Sequence, residues 1–215
     1  MNFDLPMTDA LLSTTRSVRK RLDMDKPVPR SIIEECIAIS QQAPTGTNSQ
    51  GWRWIVVEDA EKKARLAEIY RMASKDYLAA QEDMAKQAGD KQTGRVLDSA
   101  VFLAENLQNV PVHVIPCLEG KPPEGTPIAG IAAMMASIFP AVWSFQLALR
   151  ARGLGSCITS LHTMNAHLAA DLLGIPDNIM QVGLLPVAYT KGTDFKTAKR
   201  PPASSIIHYD GWDNT

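Results

Sequence analysis

Residues 44–57 read PTGTNSQGWRWIVV, and this stretch organises the middle of the chain. The position before a proline disfavours helix, so the preceding helix is predicted to end by Ala43. Residues 44–51 are small and polar and predict a loop. Residues 52–57 alternate and then become fully apolar, which is typical of a core strand. Because the loop residues are small, a flat ligand can approach their backbone closely.

The same loop carries two amide side chains, Asn48 and Gln50, and each both donates and accepts hydrogen bonds. Such a pair matches the carbonyl and N–H edge of a planar heterocycle. The competing interpretation is an ordinary helix-to-strand connection, in which Asn and Gly are common. The loop by itself leaves both interpretations open.

A second polar signal is the segment Arg16-Ser17-Val18-Arg19. Alternate residues of an extended segment face one side, so Ser17 and Arg19 are predicted to point to one ligand. A hydroxyl and a guanidinium suit a phosphate or an electron-rich ring edge. Lys20 and Arg21 extend the basic run, which also fits a solvated surface. A nucleic-acid patch is a weaker interpretation, because no aromatic residues are interleaved.

Helices and strands mix along the chain without a regular βαβ alternation, which favours the α+β class. Predicted helices begin at residue 10, after Thr8 and Asp9, and span 31–43, 59–72, 95–107, 128–149 and 165–173. Ser31 and Glu34 have capping-box spacing. Predicted strands span 52–57, 111–118, 156–161 and 181–189. Residues 73–94 are polar and are predicted to form a partly helical lid.

Composition indicates an ordinary soluble protein. The 215 residues carry a net charge of −1, which gives no strong attraction to nucleic acid or anionic membrane. The length suits one domain covering residues 1–215. Three cysteines without a CxxC pair argue against a disulfide framework or a zinc site. The acidic first nine residues contain no apolar run, so we expect no secretory signal and a cytoplasmic protein.

One apolar segment, residues 128–149, is long enough to cross a bilayer of about 30 Å. It is rich in alanine, holds Pro140 at its centre and lacks aromatic residues at both ends. A helix that is apolar all round also occurs in the buried centre of a protein or dimer. We therefore expect no membrane attachment.

Familiar catalytic motifs are absent from the sequence. There is no GxGxxG after a strand, no P-loop, no HExxH and no GxSxG. The four histidines are scattered, so no metal site is predicted. A protein without an obvious nucleophile or metal can take its reactive group from a cofactor.

The order and spacing of four motifs resemble the FMN-dependent nitroreductase family. These motifs are RSVR at 16–19, APTGTNSQGW at 43–52, GLGS at 153–156, and LGIP at 173–176 with GLLPVAY at 183–189 and KRPP at 199–202. The resemblance extends from about Thr8 to Trp212. Departures are Thr15, where many members have a basic residue, Gly51, where proline is usual, and Trp143 and Ser144, where many have Gln and Asn.

The resemblance implies an α+β sandwich in which a central mixed or antiparallel sheet is flanked by helices. It also implies an entwined homodimer with two FMN sites at the subunit interface. The tail, residues 190–215, is expected to wrap around the partner subunit. The helix at 128–149 would then be buried at a large, hydrophobic interface.

By the same resemblance, four groups of residues should bind FMN. The phosphate and ribityl chain are expected to contact Arg16, Ser17, Lys199 and Arg200. Arg19 is expected at the N1–O2 edge of the flavin, where a fixed cation stabilises developing negative charge. The partner chain should supply Pro44, Thr45, Gly46 and Asn48, and Gln50 is a further residue expected to bind the cofactor. Backbone near Thr159, Ser160 and Leu161 should approach the flavin N5.

The implied activity is a ping-pong transfer of electrons from NADH or NADPH, through FMN, to small planar acceptors such as nitroaromatics or quinones. No side chain needs to act as a nucleophile, and no metal is needed. Two alternatives remain open. One is a relative with other flavin chemistry, such as reductive dehalogenation or use of a deazaflavin donor. The other is a flavin-binding or basic-patch module without turnover.

Overall fold

The structure, a computed structural model, describes residues 2–212 as eleven regular helices and strands joined by loops and short 3₁₀ turns. In chain order these are α1 (Leu5–Thr14), α2 (Arg30–Ser40), β1 (Trp52–Val57), α3 (Ala60–Gln87), α4 (Lys91–Asn106), β2 (Val112–Glu119), α5 (Ile128–Ala151), β3 (Leu154–Ser156), α6 (Ala166–Leu173), β4 (Ile179–Gln181) and β5 (Leu185–Tyr189). Residues 16–193 form one compact unit, and residues 2–15 with 194–212 form a second.

The five strands pair side by side into one sheet in the order β1-β2-β5-β3, and β4 also pairs with β2. Every pair is antiparallel. Strand β2 is buried over its first seven residues, since it has neighbours on both edges and is almost entirely apolar. The predicted α+β class and antiparallel sheet are therefore confirmed.

Helix α5 packs on the sheet, helix α2 packs on α5, and residues of both helices form the main core with the strands. Ile33, Cys36 and Ser40 are buried on the inner side of α2. Phe145 and Leu149 of α5 are fully buried, and the Phe145 ring lies 5.3 Å from that of Trp54. Each such apolar side chain contributes about 1.5–3 kcal/mol to stability.

Helix α5 is continuous through Pro140 and differs along its length. Most of its buried residues lie in the second half, although Trp143 there is exposed, whereas the first half exposes large apolar side chains, including Ile128 and Phe139. By length and composition α5 is the one helix of the described residues that is able to span a membrane, a test that core helices of soluble proteins also pass. Pro140 has no N–H, so the Ala136 carbonyl lacks its helical donor.

Residues 73–94 are more helical than the sequence suggests. Helix α3 runs on from the predicted end at Met72 to Gln87, because no glycine or proline interrupts it before Gly89. Asp90 then caps α4 by accepting hydrogen bonds from the Gln92 and Thr93 amides at 3.0 Å each. Asp59 caps α3, as predicted. The first half of α3 packs on a 3₁₀ helix, Leu161–Asn165, and buries Tyr70.

Several predicted boundaries are wrong for local reasons. Helix α1 begins at Leu5, because Asp4 rather than Thr8 or Asp9 caps it. Helix α2 follows Pro29 without a side-chain cap, so the capping box at Ser31 does not form.

The predicted strands 156–161 and 181–189 also differ. Strand β3 already ends at Ser156, and a 3₁₀ helix follows at Leu161. The last strand divides into β4 and β5, because the Leu184 backbone pairs with Thr159 instead of continuing the ladder. The residues 182–184 between the two strands are nevertheless buried.

The second unit contains α1 and the C-terminal tail. The tail holds a short 3₁₀ helix, Ala203–Ser205, and a stacked pair of rings, His208 and Trp212, 4.5 Å apart. Its apolar residues Ile206, Tyr209 and Trp212 are exposed. The expectations that residues 1–215 form one domain and that the tail wraps a partner subunit remain predictions.

Candidate functional site

The RSVR segment lies along strand β3. The Val18 amide donates to the Ser156 carbonyl at 2.9 Å, and Val18 is buried. A bridge between Leu22 and Thr190 fixes the segment at its other end. Because Val18 points inward, its neighbours Ser17 and Arg19 take the opposite side, as the alternation predicts.

Gly155 sets how closely this segment approaches the strand. A Cβ atom at position 155 would lie 2.7 Å from the Thr190 Cγ2 and 3.0 Å from the Val18 Cβ. Such distances are shorter than normal contacts between carbon atoms. Only glycine fits between these two side chains without displacing one of them.

Arg19 is half-buried, and polar groups from three other parts of the fold surround it. Its Nη1 donates to the Ser99 Oγ of α4 at 3.3 Å. Its positive charge also lowers the pKa of the Tyr70 phenol and the Cys157 thiol, both of which burial raises more strongly. Lys20 pairs instead with Asp98 at 2.5 Å, on the exposed side of α4. Arg19 and Lys20 therefore point to different sides. Arg19 faces the polar cluster of Tyr70, Ser99 and Cys157, and Lys20 faces the exposed side of α4.

Tyr70 connects helix α3 to this cluster. Its hydroxyl lies 3.0 Å from the Thr159 Oγ1, and its ring is buried. Because burial raises its pKa, Tyr70 keeps its proton at neutral pH. Burial likewise raises the pKa of Cys157 to about 11, so this thiol is not a nucleophile at neutral pH.

Thr159 is held from both sides of its backbone. Its N–H donates to the Leu184 carbonyl at 3.0 Å, and its carbonyl accepts from the Leu184 N–H at 2.7 Å. Its amide is therefore committed to the sheet, in contrast to the expectation that it faces a ligand. Ser160 and Leu161 begin the 3₁₀ helix, where backbone donors lack partners within the helix. These two amides are the donors that the segment offers.

The 44–51 loop is strained and lies against α5. Thr47, Asn48 and Gln50 have φ values of 51°, 54° and 48°, in the left-handed region. A residue other than glycine in this region costs on the order of 1–3 kcal/mol. The Gln50 amide donates to the Asn48 Oδ1 at 3.0 Å. The two amides expected to read a ligand thus bond each other in this chain.

Two contacts with one residue of α5 hold the loop. The Gly46 amide donates to the Ser137 Oγ at 3.1 Å, and the Trp52 indole N–H donates to the Ser137 carbonyl at 2.7 Å. Pro44 is exposed, and Thr45 is half-buried. Thr45 accepts at its carbonyl from the Asn48 amide at 3.1 Å.

The predicted site residues therefore form three groups. Arg16, Ser17 and Arg19 lie beside β3 and the Thr159–Leu161 segment. Pro44, Thr45, Gly46, Asn48 and Gln50 lie on the loop against α5. Lys199 and Arg200 belong to the second unit, where both are exposed.

Tyr70, Ser99 and Ser137 are site residues that the sequence did not indicate. Each contacts a residue that is distant in the sequence, as Ser137 contacts Gly46. No local sequence pattern predicts a contact of this kind. The weak signals were a tyrosine in the apolar stripe of α3 and a serine within the apolar helix α5.

Histidines and acidic residues form no metal centre. Across residues 2–212, no group of three or more His, Cys, Asp or Glu side chains is placed to hold a metal ion. His113 and His162 are fully buried, and burial lowers the pKa of each to about 4. Neither ring nitrogen of His162 has a partner at hydrogen-bonding geometry, although the Gln181 amide adjoins it.

Several known proteins are similar to this chain over nearly its whole length. An iodotyrosine deiodinase of Thermotoga neapolitana is 24% identical over 199 residues, which cover 93% of this chain and 96% of that protein. The crystal structure of an oxidized iodotyrosine deiodinase bound to FMN and 3-iodo-L-tyrosine has a TM-score of 0.70 at 22% identity, covering 94% of this chain and 98% of the other.

An FMN- and NADPH-dependent nitroreductase of Sphigopyxis sp. strain HMH has a TM-score of 0.66 at 19% identity, covering 95% of this chain and 99% of the other. These structural likenesses establish a shared fold. The model of the nitroreductase family matches residues 12–189. That match takes in most of the chain, and the protein therefore belongs to the nitroreductase family.

Proposed function

We propose that this protein binds FMN and passes electrons from NADH or NADPH to a small planar acceptor by a ping-pong mechanism. The observation that carries the proposal is the position of Arg19. This half-buried cation lies beside the Tyr70–Thr159 hydroxyl pair and next to the start of a 3₁₀ helix, whose first backbone donors have no partner within that helix. The matched family and its FMN-bound relatives support the cofactor.

The residues present fit FMN as a planar, anionic cofactor. Ser17 and Arg16 are exposed beside Arg19, and their hydroxyl and guanidinium groups suit a phosphate. Amides at the start of a helical turn suit an electron-rich ring atom, and Ser160 and Leu161 offer them. No thiol or histidine in the cluster is placed to compete as a nucleophile or base, since Cys157 is buried and protonated.

Bound FMN would supply the redox chemistry, by accepting electrons from the nicotinamide nucleotide and passing them on. Arg19 would stabilise the negative charge that reduction places on the ring. The buried contacts of Tyr70 and Thr159 keep this side of the site preorganised. Donor and acceptor would use one shared place in turn, which favours flat acceptors such as nitroaromatics and quinones.

We further propose a cytoplasmic homodimer in which the 44–51 loop completes the site of the partner, and in which the basic pair Lys199 and Arg200 contacts the FMN phosphate. The exposed apolar first half of α5 supports this assembly, because large obligate interfaces are hydrophobic. The strained loop also supports it, since strain of this kind concentrates where a ligand binds.

The direct test is spectroscopic. Purified protein is expected to be yellow, or to become yellow and stay so after incubation with FMN and gel filtration. Its visible absorbance should bleach under anaerobic conditions on addition of NADH or NADPH and return on addition of a quinone. A dimer that fails to retain FMN after incubation with an excess would overturn the proposal.

Reductive dehalogenation is the second candidate. It is favoured by the full-length similarity to proteins named as iodotyrosine deiodinases. The discriminating assay supplies the reduced protein with 3-iodo-L-tyrosine and measures iodide release beside nitroaromatic or quinone reduction. Fast iodide release with slow quinone reduction would favour this candidate, and the opposite ratio would favour the first.

A further inference from the structure

We infer that Ser137 is a positioning residue for the cofactor, because it fixes both ends of the 44–51 loop. This inference rests on the proposed function, in which that loop contacts FMN. Ser137 lies on α5, remote in sequence from the loop, and is buried. It does not touch the cofactor in this proposal and acts through the loop.

The two contacts of Ser137 are chemically different and reach opposite ends of the loop. The side-chain Oγ accepts from the Gly46 amide at 3.1 Å, and the main-chain carbonyl accepts from the Trp52 indole N–H at 2.7 Å. The hydroxyl proton is directed away from the loop, since it donates to the Ala133 carbonyl at 3.0 Å. One residue therefore fixes where the loop begins to turn and where it enters strand β1.

The position of Ser137 within α5 explains why it can serve both ends. Trp52 is buried against this turn of the helix, so its indole N–H needs an acceptor there. The Ser137 carbonyl provides it.

Close packing reinforces these hydrogen bonds. A Cβ atom at Gly46 would lie 3.4 Å from the Ser137 Oγ, an ordinary van der Waals distance, so the loop lies in contact with the helix at this point. Three residues of the loop meanwhile keep left-handed backbone conformations. Strained conformations persist only when the surroundings hold them, and Ser137 is the residue outside the loop that does so at both ends.

The proposal is tested by comparing Ser137→Ala with Ser137→Thr and Ser144→Ala. Loss of one buried hydrogen bond should raise the FMN dissociation constant of Ser137→Ala about tenfold. Ser137→Thr keeps the hydroxyl and should restore binding to within about twofold of wild type. Ser144 lies about two turns further along α5, so Ser144→Ala measures the general effect of altering this helix.

A second measurement uses protein without FMN. Hydrogen exchange followed by NMR should show faster exchange at the Gly46 amide of Ser137→Ala, and also at Asn48 and Ser49. These two amides bond only within the loop, to Thr45 and Gly46, so their acceleration reports that the whole loop has loosened. The inference would be overturned if exchange in Ser137→Ala were accelerated at Gly46 alone, or if this variant bound FMN as tightly as wild type. Equal weakening in Ser144→Ala would do the same.

Two outcomes keep this test separate from the proposed function. If wild-type protein itself holds no FMN, the proposed function fails, and the exchange measurement still decides the role of Ser137. If Ser137→Ala does not fold, Trp52→Phe replaces it, because that change removes the indole donor and keeps an aromatic ring. Unchanged exchange at Asn48 and Ser49 in Trp52→Phe would then contradict the inference.

Discussion

Acid should destabilise this protein through two buried histidines. His113 and His162 are fully buried, and burial lowers the pKa of each from 6.5 to about 4. Both are neutral in the folded and unfolded states at neutral pH. As the pH falls below 6.5, the unfolded chain binds the protons first, so stability is lost between about pH 6.5 and pH 4. Near pH 5 the loss is about 2 kcal/mol for each histidine.

The assay is urea denaturation at about pH 7 and about pH 5, at one protomer concentration, because dimerisation contributes to apparent stability. His162→Gln should lose about 2 kcal/mol less than wild type between the two conditions. His167→Gln is the matched control, since His167 is exposed on α6 and should leave the wild-type loss unchanged. The comparison uses the pH-dependent difference within each variant, so any constant effect of the substitution cancels.

The result that would refute this reasoning is a pH-dependent loss in His162→Gln equal to that of wild type. It would mean that His162 is already protonated in the folded protein or that its site admits water. The position of His162 adds a functional consequence. It lies in the 3₁₀ helix that follows Ser160, so protonation should loosen the proposed cofactor contacts there first.

Three further variants test individual contacts. Arg19→Ala should slow flavin reduction on the order of a hundredfold, while FMN retention changes less. Lys20→Ala is its control. A reduction rate in Arg19→Ala equal to that of wild type would contradict the role of Arg19. Arg200→Ala should lower FMN occupancy in purified dimer, as measured by the ratio of flavin to protein absorbance; unchanged occupancy would remove Arg200 from the site. Tyr70→Phe leaves the Thr159 hydroxyl without its partner and should lower the free energy of unfolding by about 1 kcal/mol. Tyr77→Phe, at an exposed position of α3, should have no effect in the same denaturation experiment.

The sequence predicted features that depend on local chemistry. Alternation placed Ser17 and Arg19 on one side of an extended segment, and Val18 is buried between them as this requires. The apolar run at 52–57 forms β1 with the predicted bounds. Asp59 caps α3 because its carboxylate reaches the amide of Lys62 at 2.8 Å, a contact within one turn. In each case the deciding interaction spans a few residues.

Features that depend on distant partners were missed. The polar composition of 73–94 suggested a broken helix, but polar residues also suit the exposed face of a long helix, and α3 continues. The last strand divides because Leu184 pairs with Thr159, a partner far along the chain. Ser137 lies within the apolar run 128–149, and nothing in that run indicates its contacts with Gly46 and Trp52. These contacts depend on the packing of α5 against the loop. Tertiary contacts decided these positions.

The close fit at Gly155 has a consequence for how the chain tolerates change. A single methyl group there would act as a wedge between Val18 and Thr190, so one of these two side chains would have to shift. The packing of Val18 against Gly155 therefore helps to set where the adjacent Arg19 places its guanidinium, in addition to the polar groups around that side chain. A larger residue at this buried position is therefore expected to disturb the placement of Arg19 through its neighbour Val18.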